Sequence, residues 1–261
     1  MSPYKHRDSR SFLLKKRDYM YNKPKRRCCM LFEYDYKIDD VIKIQDKKKA
    51  LALAYKMLPE YVFDMSQLEN NPLTFPEVKT LVDGITIGGR RISDVEQILN
   101  IKSAWFDILT QIKNNTFFVS KKNFDKTNGT IAKCEAIYAG AFRNGSTYIA
   151  GTKKYKAPNF KDLEKIFFDE VHIILDNYSP AEQAIRLFLW GCLNQFYWDG
   201  NKRTSRIIAN GILIDSGVGI LNIKTRDILE FNTLMVDFYD TYRANDIVKF
   251  LSEKCLTYLE N

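Results

Sequence analysis

The sequence is poor in the residues that build metal cages and covalent staples. It has two histidines, His6 and His172, and five cysteines, Cys28, Cys29, Cys134, Cys192 and Cys255, with no C-x-x-C pair. That spacing excludes a zinc site of the usual His/Cys kind, and the odd count argues against a disulfide framework. Free thiols in a reducing cytoplasm are the expectation. No stretch approaches the roughly 20 apolar residues of a membrane span, so no membrane partner is expected. The N-terminus lacks an apolar h-region, so no secretory signal is expected. There is no repeat of 20–50 residues and no low-complexity linker after residue 30.

What is present is a globular composition, 45% hydrophobic and 13% aromatic. The net charge of +8 is unevenly placed. Residues 1–27 carry ten Lys/Arg against two Asp, a surplus of eight, so the rest of the chain is balanced. Residues 1–30 therefore read as a basic arm. A solvated extension is preferred to a nucleic-acid-binding tail, and nucleic acid is not the expected partner.

From residue 31 to 261 the pattern is that of one mainly α domain. A helix is expected over about 46–70, bent or divided by Pro59. Thr74-Phe75-Pro76-Glu77 and Ser93-Asp94-Val95-Glu96 read as capping boxes, and Gly84 ends the helix between them. Asn144-Gly145, flanked by residues 141–143 and 147–149, predicts a β-hairpin. Asn159 caps a further helix. Ser179-Pro180-Ala181-Glu182 opens a helix apolar on most sides, which belongs at the centre of a core. A helix over residues 207–213 ends at Gly217, and helical patterns resume at 225–242 and 247–259.

Between the two most apolar helices lies Gln195-Phe196-Tyr197-Trp198-Asp199-Gly200-Asn201-Lys202-Arg203-Thr204-Ser205-Arg206. Its second half opens a helix, and a helix start offers free N–H groups and the positive end of the macrodipole. Gly200 can take positive φ and let N–H groups converge. Asn201 would point an amide at a phosphate oxygen. Arg203 and Arg206, three residues apart, can hold one polyphosphate, with Lys202 beside them. Asp199 is a hard oxygen ligand of the kind Mg²⁺ takes when it bridges phosphates. The stretch reads as a nucleotide-polyphosphate cradle with a metal.

This stretch resembles the loop of the Fic (Fic/Doc) family, His-x-Phe-x-Asp/Glu-Gly-Asn-Gly/Lys-Arg-x-x-Arg. Residues Asp199, Gly200, Asn201, Lys202, Arg203 and Arg206 match, Tyr197 stands at the Phe position, and Gln195 stands where the family has its catalytic histidine. The resemblance implies a mainly α, Fic-type helical bundle with a small β-hairpin flap, and ATP with Mg²⁺ as its cofactors. It implies AMP transfer from ATP to a hydroxyl of a target protein, with the first arginine on the phosphates and the second on the β/γ end. Lys202 also occurs in the Doc branch, which resembles kinases with a reversed nucleotide, but the second arginine kept here as Arg206 favours adenylyl transfer. Ser66 to Asn70 is similar to the family's inhibitory-helix motif, which implies that Glu69 pairs Arg206 and blocks the γ-phosphate site. The hairpin is similar to the family flap, which implies that Thr147, Tyr148 and Ile149 dock a target segment. A homodimer is left open.

Gln195 cannot do the histidine's work, because a primary amide accepts no proton near neutral pH. Loss of a positioned base costs about 10²–10⁴-fold. His172 sits near Glu170 and Asp176 in an earlier helix and is read as a surface or core residue rather than a relocated base. Two expectations follow: an adenylyltransferase impaired at Gln195 and autoinhibited by Glu69, or a non-catalytic nucleotide-binding regulator.

Overall fold

The computed structural model describes residues 32–38 and 45–259; the basic arm expected over residues 1–30 lies outside the described residues. Helices α1 (Lys47–Lys56) and α2 (Leu58–Gln67) form the region expected to be one divided helix. The break falls at Met57, two residues before Pro59, whose ring and missing N–H fit only the first turn of a new helix. Asp46 caps α1 by accepting from Lys49 N at 2.9 Å. Helix α3 (Phe75–Val82) starts at the expected box, where Glu77 accepts from Thr74 N at 2.8 Å, and Gly84 follows its end at φ +87°.

Helix α4 (Ile92–Lys113) starts one residue before the expected cap, with Arg91 at the N-cap and no side-chain cap bond. Helix α5 (Lys121–Ile131) had no counterpart in the sequence reading. Its sequence KKNFDKTNGTI carries few apolar residues and an Asn-Gly pair, so it lacks an apolar stripe, yet Phe124 and Ile131 are fully buried.

Helix α6 (Leu163–Asn177) follows a 3₁₀ turn capped by Asn159. Helix α7 (Pro180–Asn194) starts after Ser179 as expected, but the capping box does not form: the Ser179 hydroxyl has no partner, and Glu182 accepts from Tyr34 and Arg186 instead. From Ala184 to Asn194 every residue of α7 is buried. Its partner is α8 (Asn201–Asp215), which Gly217 ends at φ +69°. The two helices approach so closely that a Cβ on Gly191 would meet Ser205 Oγ at 2.0 Å.

After α8 come strand β1 (Gly219–Leu221), α9 (Ile228–Thr241), α10 (Asn245–Phe250), a π-helical turn (Leu251–Cys255) and strand β2 (Leu256–Tyr258). The helix expected over 247–259 thus stops halfway, because its last residues pair as a strand with β1, Gly219 against Tyr258 and Leu221 against Leu256. Buried Asp64 ties α2 to this region, accepting from Asn222 Nδ2 at 2.6 Å and from the N–H and hydroxyl of Thr225.

The mainly α fold with one small antiparallel sheet is as expected, but the sheet is not where the hairpin was placed. Residues 141–151 form bends and irregular backbone that ends in a turn, without a strand. The main chain of Arg143 pairs outside the segment, and the residues after it are anchored by a carboxylate. Arg143 N donates to Phe196 O at 2.8 Å, and Asp240 accepts from the N–H groups of Lys153, Lys154 and Tyr155.

Candidate functional site

The loop between α7 and α8 is held from four sides. Gln195 ends α7 in the left-handed region at φ +46°. Its carbonyl accepts from Arg143 Nε at 2.6 Å, its Nε2 donates to Cys192 O at 2.6 Å, and its Oε1 accepts from Asn201 Nδ2 at 3.1 Å. Asn201 is 6% exposed and turns inward. Its Oδ1 takes Tyr197 N at 2.9 Å, and its Nδ2 reaches Tyr197 O at 2.8 Å besides Gln195. Both amide hydrogens are therefore spent on the loop, so Asn201 clasps the loop in this structure.

Gly200 is the N-cap of α8 at φ +73°. A Cβ there would sit 3.2 Å from Asn128 Nδ2 and 3.3 Å from Ile131 Cγ2, so both the conformation and the space call for glycine. Gly200 N donates to Asp199 Oδ1. Asn128 supports the loop from α5, donating to Asp199 O at 2.8 Å and Thr204 Oγ1 at 3.3 Å. The Asp199 side chain is half exposed.

Arg203 and Arg206 are each 2% exposed. Arg203 meets three carboxylates: Glu135 in a bidentate fork at 2.9 and 2.6 Å, Asp199 at 3.3 Å and Glu69 at 3.4 Å. Burial by itself lowers its pKa, but the Glu135 bonds and the Glu69 charge carry it above the ordinary value. Arg206 is different. Its two terminal nitrogens, Nη1 and Nη2, have no hydrogen-bond partner. Burial pulls it down to about 10, only partly offset by the charges of Asp64 and Glu69.

Leu68, Glu69, Lys202, Arg203 and Arg206 line one hollow between α2, α7 and α8. Its free volume is about 10 Å³, room for roughly one water. Glu69 reaches this hollow because α2 stops at Gln67 and Asn70 turns the chain at φ +58°. The sequence reading paired Glu69 with Arg206; its ion pair in the structure is with Arg203 Nε, while Arg206 lies on the same wall unpaired.

No protein-family model matches the chain. Among curated proteins it is similar to the protein adenylyltransferase Fic of Aedes aegypti, 22% identical over 191 residues that make up 70% of this chain and 38% of that protein. It is also similar to the protein adenylyltransferase fic-1 of Caenorhabditis elegans, 22% identical over 175 residues, 64% of this chain and 34% of that one. The chain thus spans little more than a third of the length of these relatives. In fold it is similar to a Fic domain containing signaling protein from Bacteroides thetaiotaomicron, with a TM-score of 0.67 and 18% identity, covering 81% of this chain and 88% of that one. The structure of Fic-1 from C. elegans gives 0.64 and 18%, covering 81% and 64%.

The chain has the fold of a Fic domain. Within the Fic fold, the segment expected to be the flap is a turn region in which Tyr148 is 86% exposed and Thr147 and Ile149 are half-buried. Gly145 rests on the Trp198 ring, where a Cβ would come within 2.8 Å. Arg143, 2% exposed, locks this region to the α7–α8 loop by donating to Gln195 O, Gly145 O and Pro158 O, each at 2.6 Å.

Three residues with structural leverage on the loop escaped the sequence reading: Asn128, Glu135 and, as a clasp, Arg143. Asn128 and Glu135 sit in and just after the unforeseen helix α5, and a lone glutamate in a polar turn carries no spacing signal. His172 is exposed in α6 and bonds the Phe168 carbonyl, a surface role. Among the described residues no three His, Cys, Asp or Glu side chains form a metal cage, and no helix is long and apolar enough to cross a membrane.

Proposed function

We propose that this Fic chain binds ATP with Mg²⁺, is held closed by Glu69, and is impaired as an adenylyltransferase because Gln195 replaces the proton acceptor. The observation that carries this reading is Arg206: a buried guanidinium with two unpartnered nitrogens on the wall of a small hollow that Glu69 also lines. An unpaired buried cation is costly, and a phosphate is the partner whose geometry matches its fork. Lys202 and the start of α8 add positive potential on the same side. Entry of a terminal phosphate requires Glu69 to withdraw.

The names of the two curated relatives support transfer of AMP to a protein hydroxyl. In that reaction the hydroxyl oxygen bonds to the α-phosphorus, the bond to the bridging oxygen breaks, and pyrophosphate leaves. Asp199, with its half-exposed carboxylate next to the phosphate cradle, fits the one-carboxylate binding that Mg²⁺ accepts. Bound there, Mg²⁺ would neutralise phosphate charge. Thr147, Tyr148 and Ile149 would line up the target segment beside Gln195. The hydroxyl proton has no acceptor at Gln195, whose amide is engaged at both ends. Positioning and electrostatic stabilisation remain.

The test is transfer of label from α-labelled ATP by Glu69→Gly with and without Gln195→His. E69G/Q195H is expected to label protein at least about 100-fold faster than E69G. Absence of label from the double variant overturns the transferase reading. The engaged Gln195 amide also favours a second reading, a non-catalytic nucleotide-binding regulator, which predicts ATP binding by E69G and no labelled product from any variant.

A further inference from the structure

The two motif arginines are not equivalent in this chain. Arg203 gives its whole fork, Nη1 and Nη2, to Glu135, and its Nη2 also faces Asp199. Only its Nε edge, 3.4 Å from Glu69, is turned toward the hollow. Arg206 keeps both terminal nitrogens free. A bidentate guanidinium–carboxylate pair is among the strongest side-chain contacts, so a phosphate would have to break it to use that fork.

Glu135 is held in place for this contact. Its turn follows α5, and Glu135 N donates to Ala132 O at 3.0 Å. Gly140 N closes the far end of the turn on Asn128 Oδ1 at 2.9 Å, the same asparagine that holds Asp199 O. From α4, Asn100 Nδ2 donates to Lys133 O at 3.0 Å, and Gln97 Nε2 donates to Glu135 Oε1 at 3.3 Å. The carboxylate is therefore fixed on a braced turn, unlike a surface ion pair between mobile side chains.

We propose that Glu135 is a positioning residue of the nucleotide site: it withholds the Arg203 fork from phosphate and leaves Arg206 as the guanidinium that receives the terminal phosphate. The inference rests on the nucleotide reading above. It makes Arg203 a brace between the α5 turn and Asp199, with phosphate contact limited to its Nε edge. Removing the Glu135 charge converts Arg203 into a second forked phosphate ligand.

The test is calorimetric titration of ATP with Mg²⁺ into the full chain carrying E69G, E69G/E135Q, E69G/R203K and E69G/E135Q/R203K. E135Q is expected to tighten ATP about tenfold when residue 203 is arginine and less than twofold in the R203K background, because lysine has no fork to release. E135A is the second variant should E135Q melt early, with the same coupling expected. An equal gain in both backgrounds would mean that only the general field of Glu135 matters, and that overturns the proposal; so does weaker binding on E135Q. If neither E69G nor any other variant binds ATP, the nucleotide reading itself fails and the proposal falls with it.

Discussion

Arg143 and Gln195 are joined by a 2.6 Å hydrogen bond from guanidinium to main-chain carbonyl, and through it a segment 52 residues upstream fixes the residue at the head of the α7–α8 loop. The contact explains how Gln195 is kept at φ +46°, a conformation rare for a residue with a side chain. Arg143 is a buried cation whose three side-chain partners are all carbonyls, and burial lowers its pKa. Arg143→Met would leave these carbonyls without a donor. A loss of about 3 kcal/mol is expected in urea unfolding. A loss under about 1 kcal/mol would show that the carbonyls find water instead.

Gly200 carries a second prediction. With φ at +73° and neighbours at 3.2 and 3.3 Å, an alanine there meets both backbone strain and crowding. Gly200→Ala is expected to destabilise by roughly 1–2 kcal/mol in urea unfolding. Gly84, at φ +87° with open space where a Cβ would lie, is the control for strain without crowding.

Asn201 carries a third. Its side chain closes the loop on Tyr197 N, Tyr197 O and Gln195 Oε1. Asn201→Ala leaves two buried main-chain groups of Tyr197 unpaired, at a cost of about 2 kcal/mol or more. Asn201→Asp keeps the acceptor for Tyr197 N but sets a carboxylate against the Tyr197 carbonyl, so it is expected to be no better than alanine. Thermal melts of the two variants against the parent chain check this ordering.

Much of this scaffold could be read from the residues, and the exceptions have physical causes. Thr74 and Glu77, Pro59, Gly84 and Gly217 act locally, so their patterns survive in the fold. Ser179 and Ser93 have the same cap signatures, but Glu182 is drawn off by Arg186 and Tyr34, and α4 begins one residue before Ser93. Asn144-Gly145 has the pattern of a hairpin turn, yet Arg143 N pairs with Phe196 O and the Arg143 guanidinium takes Gly145 O, partners that lie far along the chain or within the turn. The end of the chain reads as helix until Leu251, after which pairing with β1 decides its state. At the site, the order of residues from Asp199 to Arg206 made a loop and a helix start legible, whereas Glu135 becomes visible only when α5 folds against α8.

Glu170 gives a pH prediction away from the site. Burial raises its pKa to about 7, opposed by the bond it accepts from Trp190 Nε1 at 2.7 Å. With a folded pKa above the unfolded one, the native state holds the extra proton between about pH 4.5 and 7. Its contribution therefore declines as pH rises through that window. Glu170→Gln keeps an acceptor for Trp190 and removes the titration. The variant is expected to gain stability over the parent at pH 8 relative to pH 4.5, measured by urea unfolding at both pH values. A difference that does not change with pH contradicts the assignment.

The closed hollow beside Arg206 is tested most directly by calorimetric titration of ATP with Mg²⁺ into the parent chain and into Glu69→Gly. With Glu69 gone, Arg206 gains a phosphate without competition, and affinity is expected to rise at least about tenfold. Equal affinity for the two chains, or no binding by Glu69→Gly, contradicts the account.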